Sequence, residues 1–109
     1  MQHTHELPAA LIGRPFDCDF GPFVPRLTYQ SADRLRVQAT IGGAVIDEVV
    51  AVDTTSIGPN LILASWTETN GNFVVQLQDH ANAVVHNVAG LADGQLFKGQ
   101  GAIQPVRGS

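Results

Sequence analysis

Apolar and polar residues alternate from Asp33 to Ile41, with Leu35, Val37, Ala39 and Ile41 on one side and Arg34, Arg36, Gln38 and Thr40 on the other. A period of two marks a strand with one buried face. Gly42-Gly43 then predicts a two-residue hairpin turn, because such turns need positive φ at both central positions and glycine adopts it freely. The turn leads into Ala44 to Thr54, where Val45, Ile46, Val49, Val50 and Val52 suit a pleated, half-buried surface. Similar runs predict strands over Gly13 to Asp19, Arg26 to Gln30, Ala83 to Ala89 and Gln95 to Gln104. Gly21-Pro22, Pro25, Ile57-Gly58-Pro59-Asn60 and Asp93-Gly94 supply the breaks. Leu7 to Leu11 suits a single helical turn, and no segment sustains a helical period.

The segment from Leu61 to Asp79 carries the only Trp and an Asn70-Gly71 turn between two β-rich runs. Read as a two-residue type I′ turn, it sets Glu68 opposite Phe73, Trp66 opposite Val75, Ala64 opposite Leu77 and Ile62 opposite Asp79. One face then collects Trp66, Glu68, Phe73, Val75, Leu77 and Asp79, an apolar wall with two acids. A two- or four-residue loop after Asp79 sets His86 opposite Leu77, on that same face, whereas a three-residue loop puts Asn87 there instead. His86 is taken as inward. Across the Gly42-Gly43 turn, Glu48 falls opposite Val37 as the one charge on an apolar face. A buried carboxylate there must pair, hold a proton or escape through a bulge.

Strands joined in sequence by short turns form an all-β, antiparallel up-and-down meander, and about eight of them can close into a β-barrel that holds one small ligand. A β-sandwich is the structural competitor. The expected division is an N-terminal lead-in over residues 1–12, one barrel domain over 13–105 and a tail over 106–109, with Met1 to Glu6 frayed.

Composition narrows the function. A chain of 109 residues that is 44% hydrophobic and 15% charged fits one compact domain. Six basic against ten acidic residues give a charge of -4, which disfavours nucleic acid and anionic membranes as partners. The low charge leaves apolar surface for a homodimer. Cys18 is the only cysteine, so no internal disulfide forms, and the negative field of Asp17 and Asp19 is expected to raise its thiol pKa. No signal-peptide pattern or apolar run long enough to span a bilayer is visible, which makes a cytoplasmic location the expectation. His3 and His5, His80 and His86 fit no zinc spacing, and there is no nucleophile elbow, phosphate loop or dinucleotide fingerprint. No metal or cofactor is expected.

Each candidate also has a plain structural reading. Trp66 can be core, Glu68 a solvated rim acid, Asp79 a turn cap, His86 a hydrogen-bonded imidazole and Glu48 a bulge residue facing water. Tyr29 and Arg36 are candidate polar contacts, with solvent the default for Arg36.

The run Ser65-Trp66-Thr67-Glu68, with Gly71, Val74-Val75 and Asp79, then Val85-His86-Asn87, Asp93-Gly94, Phe97 and Gly101, resembles the MoaF-like proteins. The resemblance covers roughly Gly13 to Ile103, and its distinctive part is the Ser-Trp-x-Glu…Gly…Asp core. It implies a lipocalin- or calycin-like antiparallel barrel with a central cavity. It supplies no established catalytic apparatus, and the family name does not by itself imply molybdenum or molybdopterin binding. Fold analogy does not choose between carrier and enzyme.

Three functions follow. The first is a barrel that binds a small hydrophobic or aromatic organic molecule against Tyr29, Trp66, Phe73, Val75, Leu77 and Asp79, with Glu68 and His86 orienting it. The second is a cofactor-free isomerase, cyclase or lyase in which Glu48, Glu68 and His86 are the catalytic acid-base residues. The third is a homo-oligomeric module with a filled barrel and an outer interface at Leu61, Leu63 and Val74.

Overall fold

The computed structural model describes residues 7–107. The frayed lead-in expected for Met1 to Glu6, the His3 and His5 pair, and the last two residues of the tail lie outside that range. A short 3-10 turn at Ala9–Leu11 precedes eight strands: β1 (Pro15–Asp19), β2 (Arg26–Ser31), β3 (Arg34–Ile41), β4 (Ala44–Gly58), β5 (Leu61–Thr67), β6 (Phe73–Asp79), β7 (Val84–Gly90) and β8 (Leu96–Pro105). Each pairs antiparallel with the next, and β8 pairs antiparallel with β1 to close the barrel. Closure leaves no sheet edge open for another chain to extend.

The Gly42-Gly43 turn is as the sequence predicts. Both glycines have positive φ, 58° and 85°, and Val37 pairs with Glu48 and Ile41 with Ala44. β4 runs further than expected, through Ile57 to Gly58, because a register shift between Ser56 and Gly58 bends the strand without ending it. The turn is left to Pro59 and Asn60, with Asn60 at φ 59°.

The β5–β6 connection departs from the predicted register. Trp66 lies opposite Val74, Ala64 opposite Gln76 and Ile62 opposite Gln78. The Gly71 amide donates to the Glu68 carbonyl at 2.8 Å, and the Glu68 amide to the Asn72 carbonyl at 2.8 Å. Gly71 has φ 94°, whereas Asn70 is not among the positive-φ residues. This is the three-residue hairpin loop, a turn followed by one left-handed glycine in a bulge, rather than the two-residue turn that Asn-Gly also suits. One extra loop residue inverts the facing of all of β6. The next register is as expected: a four-residue loop follows Asp79, and Leu77 pairs with His86. Inversion therefore passes to β7 as well, which turns Asn87 inward and His86 outward.

Connections alternate between the two ends of the barrel. At one end, Leu7 is buried, Ile12 bridges to Tyr29 and the Gly13 amide donates to the Tyr29 carbonyl at 2.7 Å. The segment ahead of β1 thus helps to cover this end, where Tyr29, Ile62, Gln78 and Val85 are buried. The other end carries the β1–β2, β3–β4, β5–β6 and β7–β8 loops. The core runs between them, from Cys18, Leu27 and Leu35 to Trp66 and Val74.

Candidate functional site

A cavity of about 460 Å³ lies toward the second end of the barrel. Its apolar walls include Leu27, Val37, Ile46, Trp66, Val74 and Ala89. Phe20, Phe23 and Phe97 also line it, with ring centroids 5.4 Å apart for Phe20 and Phe23 and 5.6 Å apart for Phe23 and Phe97. Phe20 packs over Gly99 and Gly101 of β8, where a side chain at Gly101 would collide with the Asp19 carbonyl and the Phe20 ring.

Among the described residues, Glu68 is the one charged residue lining the cavity. It lies just past the end of β5 and two residues beyond Trp66, so both side chains point inward. The Trp66 indole N–H donates to Glu68 Oε2 at 3.2 Å, and Asn72 Nδ2 donates to Glu68 Oε1 at 3.4 Å. Asn72 Oδ1 in turn accepts from the Ala92 amide at 3.0 Å, which ties the β5–β6 loop to the β7–β8 loop.

A second polar line crosses the interior. The Tyr29 hydroxyl donates to Gln78 Oε1 at 2.8 Å, Gln78 Nε2 to Gln76 Oε1 at 2.9 Å, and Gln76 Nε2 to Asn87 Oδ1 at 3.0 Å. All four residues are buried, and Gln76 and Asn87 reach the cavity. Burial pushes the Tyr29 phenol well above its ordinary value, although its bond to Gln78 opposes this.

The sequence matches the MoaF-like family over residues 12–104. The chain belongs to the MoaF-like family. A solved structure described as a "putative beta-lactamase from Burkholderia vietnamiensis" is similar in fold, with a TM-score of 0.84 and 17% identity over 94% of this chain and 100% of that one. At this identity the likeness concerns fold alone. No curated protein matches the sequence.

The MoaF-like barrel brings together only part of the predicted site. Trp66 and Glu68 line the cavity as expected. Tyr29 points inward but reaches the cavity only through the glutamines. Phe73, Val75, Leu77 and His86 are corrected to the outer face by the β5–β6 loop: Phe73 is 49% exposed, and Val75, Leu77 and His86 border a shallow outer groove with Val88 and Lys98. Val74, expected at an outer interface, is buried inside. Asp79 caps its turn, accepting from the Asn82 amide at 3.1 Å and from Asn82 Nδ2 at 2.9 Å, which hold its carboxyl below the usual range. Glu48 takes its predicted inward register but does not line the cavity; half-buried, it accepts from the Thr69 amide at 3.2 Å. Its local need for a partner is met by loop backbone, and it stands apart from His86.

Gln76, Gln78 and Asn72 were not predicted, and Asn87 was placed inside only in the alternative register. Sequence polarity concealed the glutamines, because Phe73, Val75 and Leu77 form the more apolar of the two β6 faces. Arg36 lies on the outside, bound to Asp47 through two contacts of 2.9 and 2.8 Å. Cys18 is fully buried and its thiol is pushed up to about 12, first by burial and then by Asp17. The direction is the expected one, with burial rather than the acidic neighbours as the larger cause. Among the described residues, no three His, Cys, Asp or Glu side chains converge to hold a metal, and no helix is long and apolar enough to cross a membrane.

Proposed function

We propose that the protein binds a small, largely apolar organic molecule in the barrel cavity. The observation that carries this reading is the largely apolar, partly open cavity beside Trp66, with few polar groups directed into it, which is the usual anatomy of a ligand site. On this reading the barrel works as lipocalin- and calycin-type carriers do, in a cytoplasmic setting suited to a free, buried Cys18. Saturable change of Trp66 fluorescence with a hydrophobic probe supports it; no response across a broad panel of apolar compounds removes it.

Acid-base catalysis has less support. Glu68 lines the cavity, but His86 lies on the outer face and Glu48 is engaged by Thr69, so the three candidate acid-base residues do not share the space. The neighbour's description as a beta-lactamase does not carry over either. Among the described residues, no Ser, Thr, Cys, Lys or His lines the cavity to serve as nucleophile. A homodimer is favoured by one separate observation: Leu63, Phe73 and Val88 leave 40, 49 and 43% of their surface exposed on the outer face. Light scattering that finds a monomer at high concentration removes that second reading.

A further inference from the structure

The line of buried amides has a direction, and Tyr29 sets it. Tyr29 is 1% exposed, and its hydroxyl meets one side-chain partner among the described residues, Gln78 Oε1. A sealed phenol hydrogen requires an acceptor, so the Gln78 amide must turn its oxygen toward Tyr29 and its nitrogen away. That nitrogen needs the oxygen of Gln76, and the nitrogen of Gln76 then needs the oxygen of Asn87. Each orientation dictates the next. The line ends with Asn87 Oδ1 occupied and Asn87 Nδ2 without an acceptor among the described residues. This nitrogen is not sealed, since His80 Nε2 is the one buried side-chain polar atom found without a partner there. Asn87 borders both the cavity and the outer groove, but its side chain lies on the inward face of β7, bonded to the inward Gln76, so the cavity is the space this nitrogen faces.

We infer that Asn87 Nδ2 is the donor that recognises a carbonyl oxygen on an uncharged, largely apolar ligand, with Tyr29 as the positioning residue that keeps this donor facing the cavity. The inference rests on the proposed cavity-binding function and names its ligand class. An acceptor-only oxygen matches a donor-only nitrogen and leaves no hydrogen of its own to place. Anions are disfavoured by the same lining: among the described residues Glu68 is its one charge, and no Lys, Arg or His lines it to balance a second negative group. A ketone, ester or amide carbonyl on an aromatic or alicyclic body meets both conditions.

The test uses three probes of nearly one shape on the full chain: methyl naphthyl ketone, isopropenylnaphthalene, in which a methylidene replaces the carbonyl oxygen, and naphthoate. Calorimetry should find the ketone binding about tenfold more tightly than the alkene, the scale of one hydrogen bond made or left unmade, with naphthoate weakest. The ketone carbonyl carbon should move downfield in its NMR spectrum on binding, and the Asn87 side-chain amide protons should shift with it. Asn87→Asp keeps the acceptor for Gln76 and replaces the donor, so it should abolish the ketone preference. Tyr29→Phe frees the ladder to reverse, so it should cut the ratio of ketone to alkene affinity and the Asn87 shift together. Equal affinity of the wild-type protein for ketone and alkene overturns the inference and leaves the cavity-binding reading standing. Failure of all three probes to bind overturns the inference, and the cavity-binding reading falls with it when a broad panel of apolar compounds also gives no response. Full ketone preference in Tyr29→Phe removes Tyr29 from the positioning role.

Discussion

Trp66 donates its indole N–H to Glu68 across 3.2 Å, from a side chain that is 4% exposed. Two residues of one chain segment thus settle the one polar requirement of the largest apolar side chain in the barrel. Removing the acceptor leaves the indole nitrogen facing an apolar wall. Glu68→Leu should destabilise the fold by about 1–3 kcal/mol, whereas Glu68→Gln, which keeps a carbonyl acceptor, should stay within about 1 kcal/mol of the parent. Urea unfolding followed by Trp66 fluorescence measures both.

The β6 facing is tested by two adjacent residues. Val74 is 6% exposed and Phe73 49%. Aspartate at position 74 would place an unpaired charge in the cavity wall beside Trp66, at a cost of about 3 kcal/mol or more, a large share of the net stability of a domain of this size. At position 73 the same residue faces solvent and should cost about 1 kcal/mol or less. Comparable losses from Val74→Asp and Phe73→Asp would contradict the observed register.

Those two residues also mark the limit of what the sequence made legible. Every strand could be read from alternation and turn chemistry, because periods of two and glycine pairs are local signals. Which face of β6 looks inward was not local in that sense. It depended on one loop residue, and Asn-Gly serves both the two-residue turn and the three-residue loop with its left-handed glycine. The apolar pattern then favoured the wrong side, since Phe73, Val75 and Leu77 stay on the outer face while Gln76 and Gln78 are buried. Glutamine is an unusual wall residue, and it is tolerated here because Tyr29 and Asn87 complete its hydrogen bonds. That compensation comes from strands distant in sequence. Trp66 and Glu68 were legible as inward because β5 retains its facing whatever the loop does.

Closure of the barrel at β8 depends on a residue without a side chain. A Cβ at Gly101 would run into the Asp19 carbonyl and the Phe20 ring, and backbone cannot rotate away as a side chain can. Gly101→Ala should therefore cost about 1–3 kcal/mol. Gly99→Ala meets mainly the edge of the Phe97 ring, at 3.0 Å, and should cost less while altering probe binding at the cavity. Thermal unfolding and probe titration of the two variants distinguish a broken seam from a reshaped cavity.

Cys18 is sealed, with its thiol pushed up to about 12 by burial and by Asp17. A thiol needs its anionic form and access to react, and both are withheld in the fold. Labelling by a disulfide reagent at pH 8 should be slow under native conditions and should follow the unfolding equilibrium as urea is raised. Rapid native labelling would show that the β1–β8 seam opens locally.

His80 gives the fold a pH dependence of definite sign. It sits in the β6–β7 turn with its ring edge-on to Phe16 at a centroid distance of 4.9 Å, and its Nε2 is buried without a partner. Desolvation lowers its pKa from the ordinary 6.5, while the neighbouring Asp79 pulls in the other direction. The unfolded chain therefore takes up a proton at a higher pH than the folded chain does. Stability from neutral His80 is present above about 6.5 and falls as pH drops from there toward the lowered folded value, because the unfolded state binds more protons in that window. Asp79 adds a second loss at lower pH: its carboxyl is held below 3.8 by Asn82, so that contribution disappears as pH falls through that range. Urea midpoints between pH 5 and 8 should rise and then level off in the wild-type protein, and they should flatten in His80→Phe. Asp79→Asn removes the opposing attraction and should steepen the dependence on His80. A midpoint that does not change across this range in the wild-type protein would refute the assignment.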